Sequence, residues 1–487
     1  MGLAFIPVYI KYLGIEAYGL IGLFALLQAW LTLLDMGMTP TLSREMARFT
    51  GGSQSREYIR DLLRSIEIVA VGVAILIASG IAVSSSWIAT SWLKVENLST
   101  DVVAQAFAIM GVVTALRFIE GIYRSAIVGL QRQVLFNAIN SAMATLRGVG
   151  AVGILALVSP TIEAFFIWQG TVSIASLSIL AAATYFTLPK GERSGHFSWS
   201  ALRSIWRFAG GMLGITFLAL LLTQVDKILL SKLLSLGEYG YYTLAATVAA
   251  GLYVLIGPIT QAWYPRLCEL HASDEQTALT EAYHQGSQLV SVVAGSAAIV
   301  LVLFSETLLR LWTQNSEMAV RTAPLLSLLA LGNMLNGLMH MPYMTQLAHG
   351  WTSLTVRINI IAVVIIVPAI LWATTRYGAE GAAWVWVVLN AGYLLLGIHF
   401  MYRRILTTEK WRWYLQDVAF PLTAATVIAL ICRLIMPAHL EKLGELGLLL
   451  ISSGSILIAA ALAAPLVRHI LARWVSHAIS VIYMKST

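Results

Sequence analysis

The sequence predicts an all-α polytopic membrane protein of about fourteen transmembrane helices, and three observations carry that prediction. Of the 487 residues, 58% are hydrophobic and 11% charged, whereas ordinary soluble domains carry roughly 25% charged residues. A mean hydropathy of +0.79 means that apolar side chains outnumber what one core can bury, so most must face lipid. Apolar stretches of about 20 to 28 residues, each able to cross a hydrocarbon core of roughly 30 Å, recur along the whole chain. The connections between them are short. Those around Arg48 to Arg56 and Pro189 to Ser200 are the longest, with fewer than about twenty polar residues, too few for a soluble catalytic domain.

Taken in order, Met1 to Leu13 forms a first apolar run, but about thirteen residues reach only about 20 Å and cannot cross alone. It lacks the basic start and small-residue cleavage pattern of a signal peptide. The expectation is therefore a first helix whose beginning lies about ten to fifteen residues upstream of Met1. Full-length spans follow at 17–43, 60–86, 104–130, 133–157 and 161–187, then at 203–231, 238–265, 283–308, 319–346, 352–374 and 379–401, and finally at 414–436 and 445–468. In the span 379–401, Trp384-Val385-Trp386 reads as packing and interfacial aromatic belt.

The 31 Lys+Arg against 24 Asp+Glu give a net charge of +7. In a soluble chain this would raise nucleic-acid binding; here it decides orientation. With the first helix rising from the cytoplasm, about 20 cationic residues fall in inside loops and ends and about 8 outside, which predicts both termini cytoplasmic. Cys268 and Cys432 are far apart and suggest neither a disulfide scaffold nor a metal site. A phosphate-binding G-x-x-x-x-G-K-[ST] is missing, which argues against an on-board nucleotide motor.

The chain repeats itself with a period of about 221 residues, consistent with the duplicated halves of many transporters. Glu16-Ala17-Tyr18-Gly19 resembles Glu238-Tyr239-Gly240, and Gly129-Leu130-Gln131 followed by Asn137 resembles Ala348-His349-Gly350 followed by Asn359. The spacing predicts an N-terminal six-helix lobe over 1–190, a C-terminal six-helix lobe over 191–405, and two additional helices with a tail over 406–487. Repeated halves place a binding cavity at their interface in many transporters.

A charge at the bilayer centre costs about 2.5 to 3.5 kcal/mol on insertion scales, so intramembrane polar residues are the candidate site. Gln28, Thr32, Asp35, Thr39 and Ser43 fall on one helical face, as do Thr114, Arg117, Glu120 and Arg124, and again Asn137, Ser141, Ala144, Arg147 and Gly148. One Glu120 cannot neutralise both Arg117 and Arg147, which points to a cationic cavity; the bland alternative pairs Arg117, Glu120 and Arg124 along their own helix, with Arg124 reaching the headgroups. Asp35 is expected to find a partner on another helix or to make a structural pair. In the second half Asn333, Asn336 and His340 share a face, while Arg357 and Asn359 open the next span. His340 alone reads more readily as an interior histidine than as a proton carrier. Asp226 and Lys227 read as an interhelical ion pair or a gate.

The run Ile6-Pro7-Val8-Tyr9-Ile10-Lys11-Tyr12-Leu13-Gly14-Ile15-Glu16-Ala17-Tyr18-Gly19-Leu20, then Leu34-Asp35-Met36-Gly37 and Ser43-Arg44-Glu45-Met46-Ala47, resembles the opening of bacterial O-antigen flippases of the Wzx type. These form the polysaccharide-transport branch of the multidrug, oligosaccharidyl-lipid and polysaccharide exporter superfamily. Val128-Gly129-Leu130-Gln131, Asp226-Lys227-Ile228-Leu229-Leu230, and Pro342-Tyr343 leading into Gln346-Leu347-Ala348-His349-Gly350-Trp351 extend the resemblance over nearly the whole chain. It implies two six-helix lobes forming a V-shaped central cavity with two helices added. It also implies flipping of undecaprenyl-diphosphate-linked oligosaccharide between leaflets of the bacterial inner membrane.

The expected site is then a cationic cavity of Arg117, Arg147, Arg124, Arg44 and Arg357. Asp35, Glu120, Asn137, Asn333, Asn336, His340, Asp226 and Lys227 are its polar lining or coupling groups. Arginines in a hydrated cavity suit a lipid diphosphate. Expected partners are the lipid-linked oligosaccharide, membrane lipid, and a polysaccharide polymerase and chain-length regulator, without cofactor, metal or nucleic acid. A multidrug exporter of the same superfamily would call for an acidic cavity, and a membrane polymerase or ligase for a large periplasmic loop.

Overall fold

The structure, a computed structural model, describes residues 2–35, 37–188, 195–351, 353–437 and 441–469. Readings that rest on Met36, on loop residues Lys190 and Arg193, on the side chains of Thr32 and Arg207, or on the tail beyond 469 lie outside the described residues. Every named element is helical: α1 (Gly2–Leu34), α2 (Met38–Thr50), α3 (Arg56–Trp87), α4 (Thr100–Gly129), α5 (Gln133–Leu157), α6 (Ile162–Thr187), α7 (Trp199–Leu233) and α8 (Leu236–Ala272). Next come α9 (Gln276–Val290), joined through a π turn (Ser291–Gly295) to α10 (Ser296–Leu303), then α11 (Ser305–Thr313), α12 (Ser316–Leu338), α13 (His340–Ala348) and α14 (Ser353–Gly392). A π turn (Tyr393–Gly397) leads to α15 (Ile398–Met401), and a second (Trp413–Ala419) joins α16 (Lys410–Arg412) to α17 (Phe420–Ile435), before α18 (Lys442–Ala463).

Helix starts follow local chemistry. Side-chain oxygens of Ser55, Ser99, Thr161 and Asn315 accept from the backbone N–H groups of Tyr58, Val102, Ala164 and Met318, satisfying donors that the first turns of α3, α4, α6 and α12 leave free. Among the described residues eleven stretches are long and apolar enough to cross a membrane. One of them, Ser353–Met401, has 49 residues, about 73 Å of helix and far more than one crossing needs. It is interrupted at Gly378, whose φ of 59° and ψ of −145° no helix accommodates, so it is two helices, matching the separate spans read at 352–374 and 379–401.

The span read as 17–43 is corrected. Its chain leaves the helix after Leu34, turns through Gly37 at φ 74°, and restarts as α2. Gln28 and Ser43 thus belong to different helices, and their common face does not exist as one stripe.

The chain forms two compact units, Met1–Gly240 and Tyr241–Thr487. In the first, α4 packs between α3 and α6, and a core of Leu42, Met46, Leu62, Ile66, Phe118 and Ile122 joins α2, α3 and α4. This unit extends past α7 because α7 packs on α1 and α3, and because the segments around Gly19 and Gly240 touch. A Cβ on Gly19 would lie 2.6 Å from the Leu236 carbonyl oxygen, and one on Gly240 would strike that of Ile15. The second unit has one core around Tyr283, Met341, Met401 and Trp413, and another where α17 and α18 pack on α10 through Ile299, Ala425, Ile456 and Ala460. Large apolar side chains remain exposed on outer faces, among them Leu76 and Val83 of α3 and Val364 and Ile365 of α14, as lipid-facing helices require.

Candidate functional site

In the first unit, α1, α4, α5 and α6 converge on a charged cluster. Arg117 of α4 reaches across to α1 and α6, donating from Nη1 to Gln28 Oε1 at 2.6 Å and from Nη2 to Gln169 Oε1 at 2.8 Å. Its guanidinium lies 4.9 Å from the centroid of Phe24, a stacking that a planar cation accepts and an ammonium does less well. One turn along α4, Glu120 accepts from Arg147 Nη2 of α5 at 3.2 Å and from Ser176 Oγ of α6 at 2.8 Å. The side chains of Arg147 and Glu120 are 21% and 16% exposed, so this pair sits largely out of water.

This arrangement settles which arginine is neutralised. Glu120 serves Arg147, and Arg117 is held by neutral amide oxygens, leaving the cluster one positive charge in excess. The alternative in which Arg117 pairs with Glu120 along its own helix is corrected accordingly. Arg117 Nε, Arg147 Nε and Gln28 Nε2 are buried donors without a hydrogen-bond acceptor among the described residues. Burying such donors costs free energy unless an acceptor arrives. The cluster is therefore suited to an anion with several acceptor oxygens.

The other cationic candidates stand apart. Arg124 is exposed and stacks over Phe136 of α5 at 5.3 Å; Arg44 on α2 and Arg357 on α14 are exposed. Asn137 is exposed on α5. Among the described residues, Asp35 makes its hydrogen bonds to Thr39, in the first turn of the helix that follows it. Its carboxylate accepts the Thr39 backbone N–H at 3.1 Å and the Thr39 hydroxyl, tying down the start of α2, a role that the helix dipole favours for an anion. Lys227 donates to Thr223 O at 3.0 Å and Gln224 Oε1 at 3.1 Å on its own helix.

The second unit gathers a neutral polar cluster. Asn333 Oδ1 of α12 accepts from Trp386 Nε1 at 2.9 Å and from the Tyr253 hydroxyl at 3.3 Å. Asn336 accepts from the same hydroxyl at 3.1 Å and donates to Asn390 Oδ1 at 2.8 Å. His340 donates from Nδ1 to the Asn336 carbonyl at 3.1 Å and lies 5.8 Å from the Tyr253 ring. The sequence-predicted Asn333, Asn336 and His340 do come together, and Arg357 does not join them in any hydrogen bond described.

Several partners escaped sequence reading: Phe24, Gln169, Ser176, Tyr253, Trp386 and Asn390. A signal for two of them existed. Gln169, Ser173 and Ser176 are buried on one face of α6 at steps of four and three, with Thr184 about two turns further along the same face. A second ionisable group, His284 with Asp417 and Glu409, was also missed; its members are 125 and 133 residues apart.

Long apolar helices with charged and amide side chains turned inward define a multi-pass helical membrane protein. The chain belongs to the polysaccharide biosynthesis protein family, which it matches over residues 1–271. It is 20% identical over 386 residues to a Shigella flexneri protein described as "Putative O-antigen transporter", covering 78% of this chain and 89% of that one. The structure is similar to the lipid II flippase MurJ in an inward closed conformation, with a TM-score of 0.68 and 13% identity over 94% of this chain and 96% of that one. It is also similar to an inward-facing multidrug resistance MATE family transporter of the MOP superfamily, with a TM-score of 0.62 and 14% identity over 84% and 94% of the two chains. At these identities the structural likeness establishes the fold.

Proposed function

We propose that this protein is a flippase that carries an undecaprenyl-diphosphate-linked oligosaccharide, an O-antigen or related polysaccharide repeat unit, from the cytoplasmic to the periplasmic leaflet of a bacterial inner membrane. The observation that carries this reading is the excess cation of the first unit: Arg117 held between two amide oxygens beside the Arg147–Glu120 pair. A diphosphate leaving water needs charge-assisted donors already in place, and a guanidinium offers two in parallel. The neutral cluster of Asn333, Asn336, Asn390, Tyr253, Trp386 and His340 supplies the amide, hydroxyl and ring surfaces that suit sugar hydroxyls. Membership of the polysaccharide biosynthesis family and the description of the Shigella relative support the substrate class.

Transport proceeds by alternating access, the mechanism expected of chains built from internal repeats. The repeat supports the lobes 1–190 and 191–405 with the addition 406–487. No covalent chemistry is required. In this reading Arg124, Arg44 and Arg357 add cationic charge toward the diphosphate, with Asn137, Asp35, Asp226 and Lys227 as accessory polar groups. A polysaccharide polymerase and a chain-length regulator are the partners such a flippase would feed. A multidrug cation exporter would instead need an uncommitted acid, and Glu120 is already paired with Arg147.

Replacing Arg117 by Ala tests the proposal. A charge-assisted hydrogen bond is worth about 1.5–3 kcal/mol, so surface glycan should fall about tenfold or more at unchanged membrane protein level. Arg117→Lys should keep part of the activity, since charge remains but the bidentate geometry does not. Undiminished glycan with Arg117→Ala would overturn the assignment.

A further inference from the structure

The second unit contains a buried ionisable group that the anion site does not use. His284 of α9 is fully buried, with Nδ1 2.5 Å from Asp417 Oδ2 and Nε2 2.9 Å from Glu409 Oε2. Asp417 is also fully buried and sits in the π turn Trp413–Ala419, a distortion that recurs at functional sites. The Glu409 side chain is 20% exposed and is the group of the three that reaches water. Gln288, one turn beyond His284, donates to Asp417 Oδ1 at 2.9 Å and accepts the Leu466 backbone N–H at 2.8 Å, so the cluster ties α9 to the chain that follows α18.

The hydrogen bonds fix a proton count. An ionised carboxylate only accepts, and a neutral imidazole donates from one nitrogen only. Here both ring nitrogens face carboxylate oxygens. With a neutral ring and two ionised carboxylates, one contact would set a lone pair against a lone pair. The observed geometry therefore contains one further proton, shared by the three groups as a coupled unit.

Its surroundings agree. Arg412 Nη1 lies 3.3 Å from Glu409 Oε2, and the Thr408 hydroxyl donates to Glu409 Oε1 at 3.3 Å. Tyr283 of α9 packs its ring 5.3 Å from the imidazole and shares a 2.7 Å hydroxyl contact with Tyr402. Tyr414 of the π turn turns its hydroxyl to Leu394 O at 2.7 Å, and the segment after α18 presents the Leu466 N–H. With the extra proton, imidazolium, Arg412 and two carboxylates sum to zero. Without it, a net negative charge stays where water does not reach, at considerable cost. Burial pushes the Glu409 carboxyl up, but the hydrogen bonds and charges of His284 and Arg412 outweigh burial and hold it below the usual carboxylate range.

We propose that His284, Asp417 and Glu409 form a proton-binding site, loaded through Glu409 from the membrane face at which residues 402–409 lie, whose emptying releases α9 from the π turn of α16–α17. On the orientation proposed above that face is cytoplasmic. The site is independent of the anion site, and its test does not use transport.

The experiment is thermal unfolding of the purified full chain in lipid nanodiscs between about pH 5 and about pH 9, spanning the range in which imidazoles titrate. The folded cluster holds the extra proton at low pH, so its contribution is present there and is lost as pH rises. The wild-type melting temperature should fall by several degrees across that range. In Glu409→Gln the amide can donate to the ring nitrogen and replace the proton, so the fall should shrink by about half or more. Asp417→Asn should act likewise, while His284→Gln should melt lower at every pH. In the infrared pH-difference spectrum, the imidazole ring band of the cluster should vanish in Glu409→Gln, where the amide donates to the ring in place of the proton. A Glu409→Gln protein with the wild-type slope and the wild-type band would overturn the proposal, showing that the cluster is a fixed structural brace.

Discussion

Arg117 and Arg147 differ in their partners, and the difference sets opposite expectations for their removal. Among the described residues Glu120 keeps the Ser176 hydroxyl when Arg147 is truncated, and breaking a buried pair by removing one member costs about 3 kcal/mol or more. Arg147→Ala should therefore lower the melting temperature and the membrane level of the protein, and Glu120→Gln in the same chain should restore both. Arg117→Ala takes away a cation held by neutral amides and leaves no buried charge unpaired, so it should cost less stability than Arg147→Ala while removing function. A melt of the three variants checks the pattern; equal destabilisation by Arg117→Ala and Arg147→Ala would contradict it. The two arginines were legible in the sequence because charges are rare in apolar runs. Their pairing was not: the phenylalanine of α1 is unremarkable in a run of helix, the polar stripe of α6 marks a face without saying what it meets, and side-chain reach between helices depends on rotations that a helical wheel does not contain.

At the level of elements, breaks and clamps matter more than spans. Asp35 and Gly37 divide what reads as one helix, and the acid reads as an intramembrane charge because a cap and a buried charge look alike in a window of sequence. Glu16 acts similarly between elements. Its carboxylate accepts backbone N–H groups from Glu96 at 2.7 Å, Asn97 at 2.8 Å and Leu98 at 3.2 Å, fastening the connection between α3 and α4 onto α1. Beside it, Leu236 N donates to Lys94 O at 2.9 Å and Lys94 Nζ to Leu233 O at 2.7 Å, so the same connection also holds the α7–α8 turn. Glu16→Ala should leave three amides without acceptors, and their hydrogen exchange should accelerate about tenfold or more as the segment opens locally. Unchanged exchange at Glu96, Asn97 and Leu98 would show the clamp to be dispensable. Gly240→Val should cost about 1–3 kcal/mol by overpacking against the Ile15 carbonyl, read as a lower melting temperature.

Across the whole molecule, the membrane character and the helical class were readable, since each rests on composition or period rather than on a contact. The two segments matched in the sequence meet in the first unit, where Gly19 approaches the Leu236 backbone and Gly240 that of Ile15. The proton-bearing cluster was not readable: His284 lies 125 and 133 residues before Glu409 and Asp417, and nothing in its local window links it to them. Orientation rests on the cationic bias of alternate loops, so a reporter active only in the periplasm should stay silent when fused after Thr487; strong activity would invert the topology. The most direct measurement is surface glycan in cells that carry the Arg117→Ala, Arg147→Ala, Glu120→Gln chain, with the membrane protein level quantified in parallel. The charge argument expects glycan export to collapse while the protein persists at its normal level, whereas full glycan display by that stable variant would show that the cationic cluster does not carry the diphosphate.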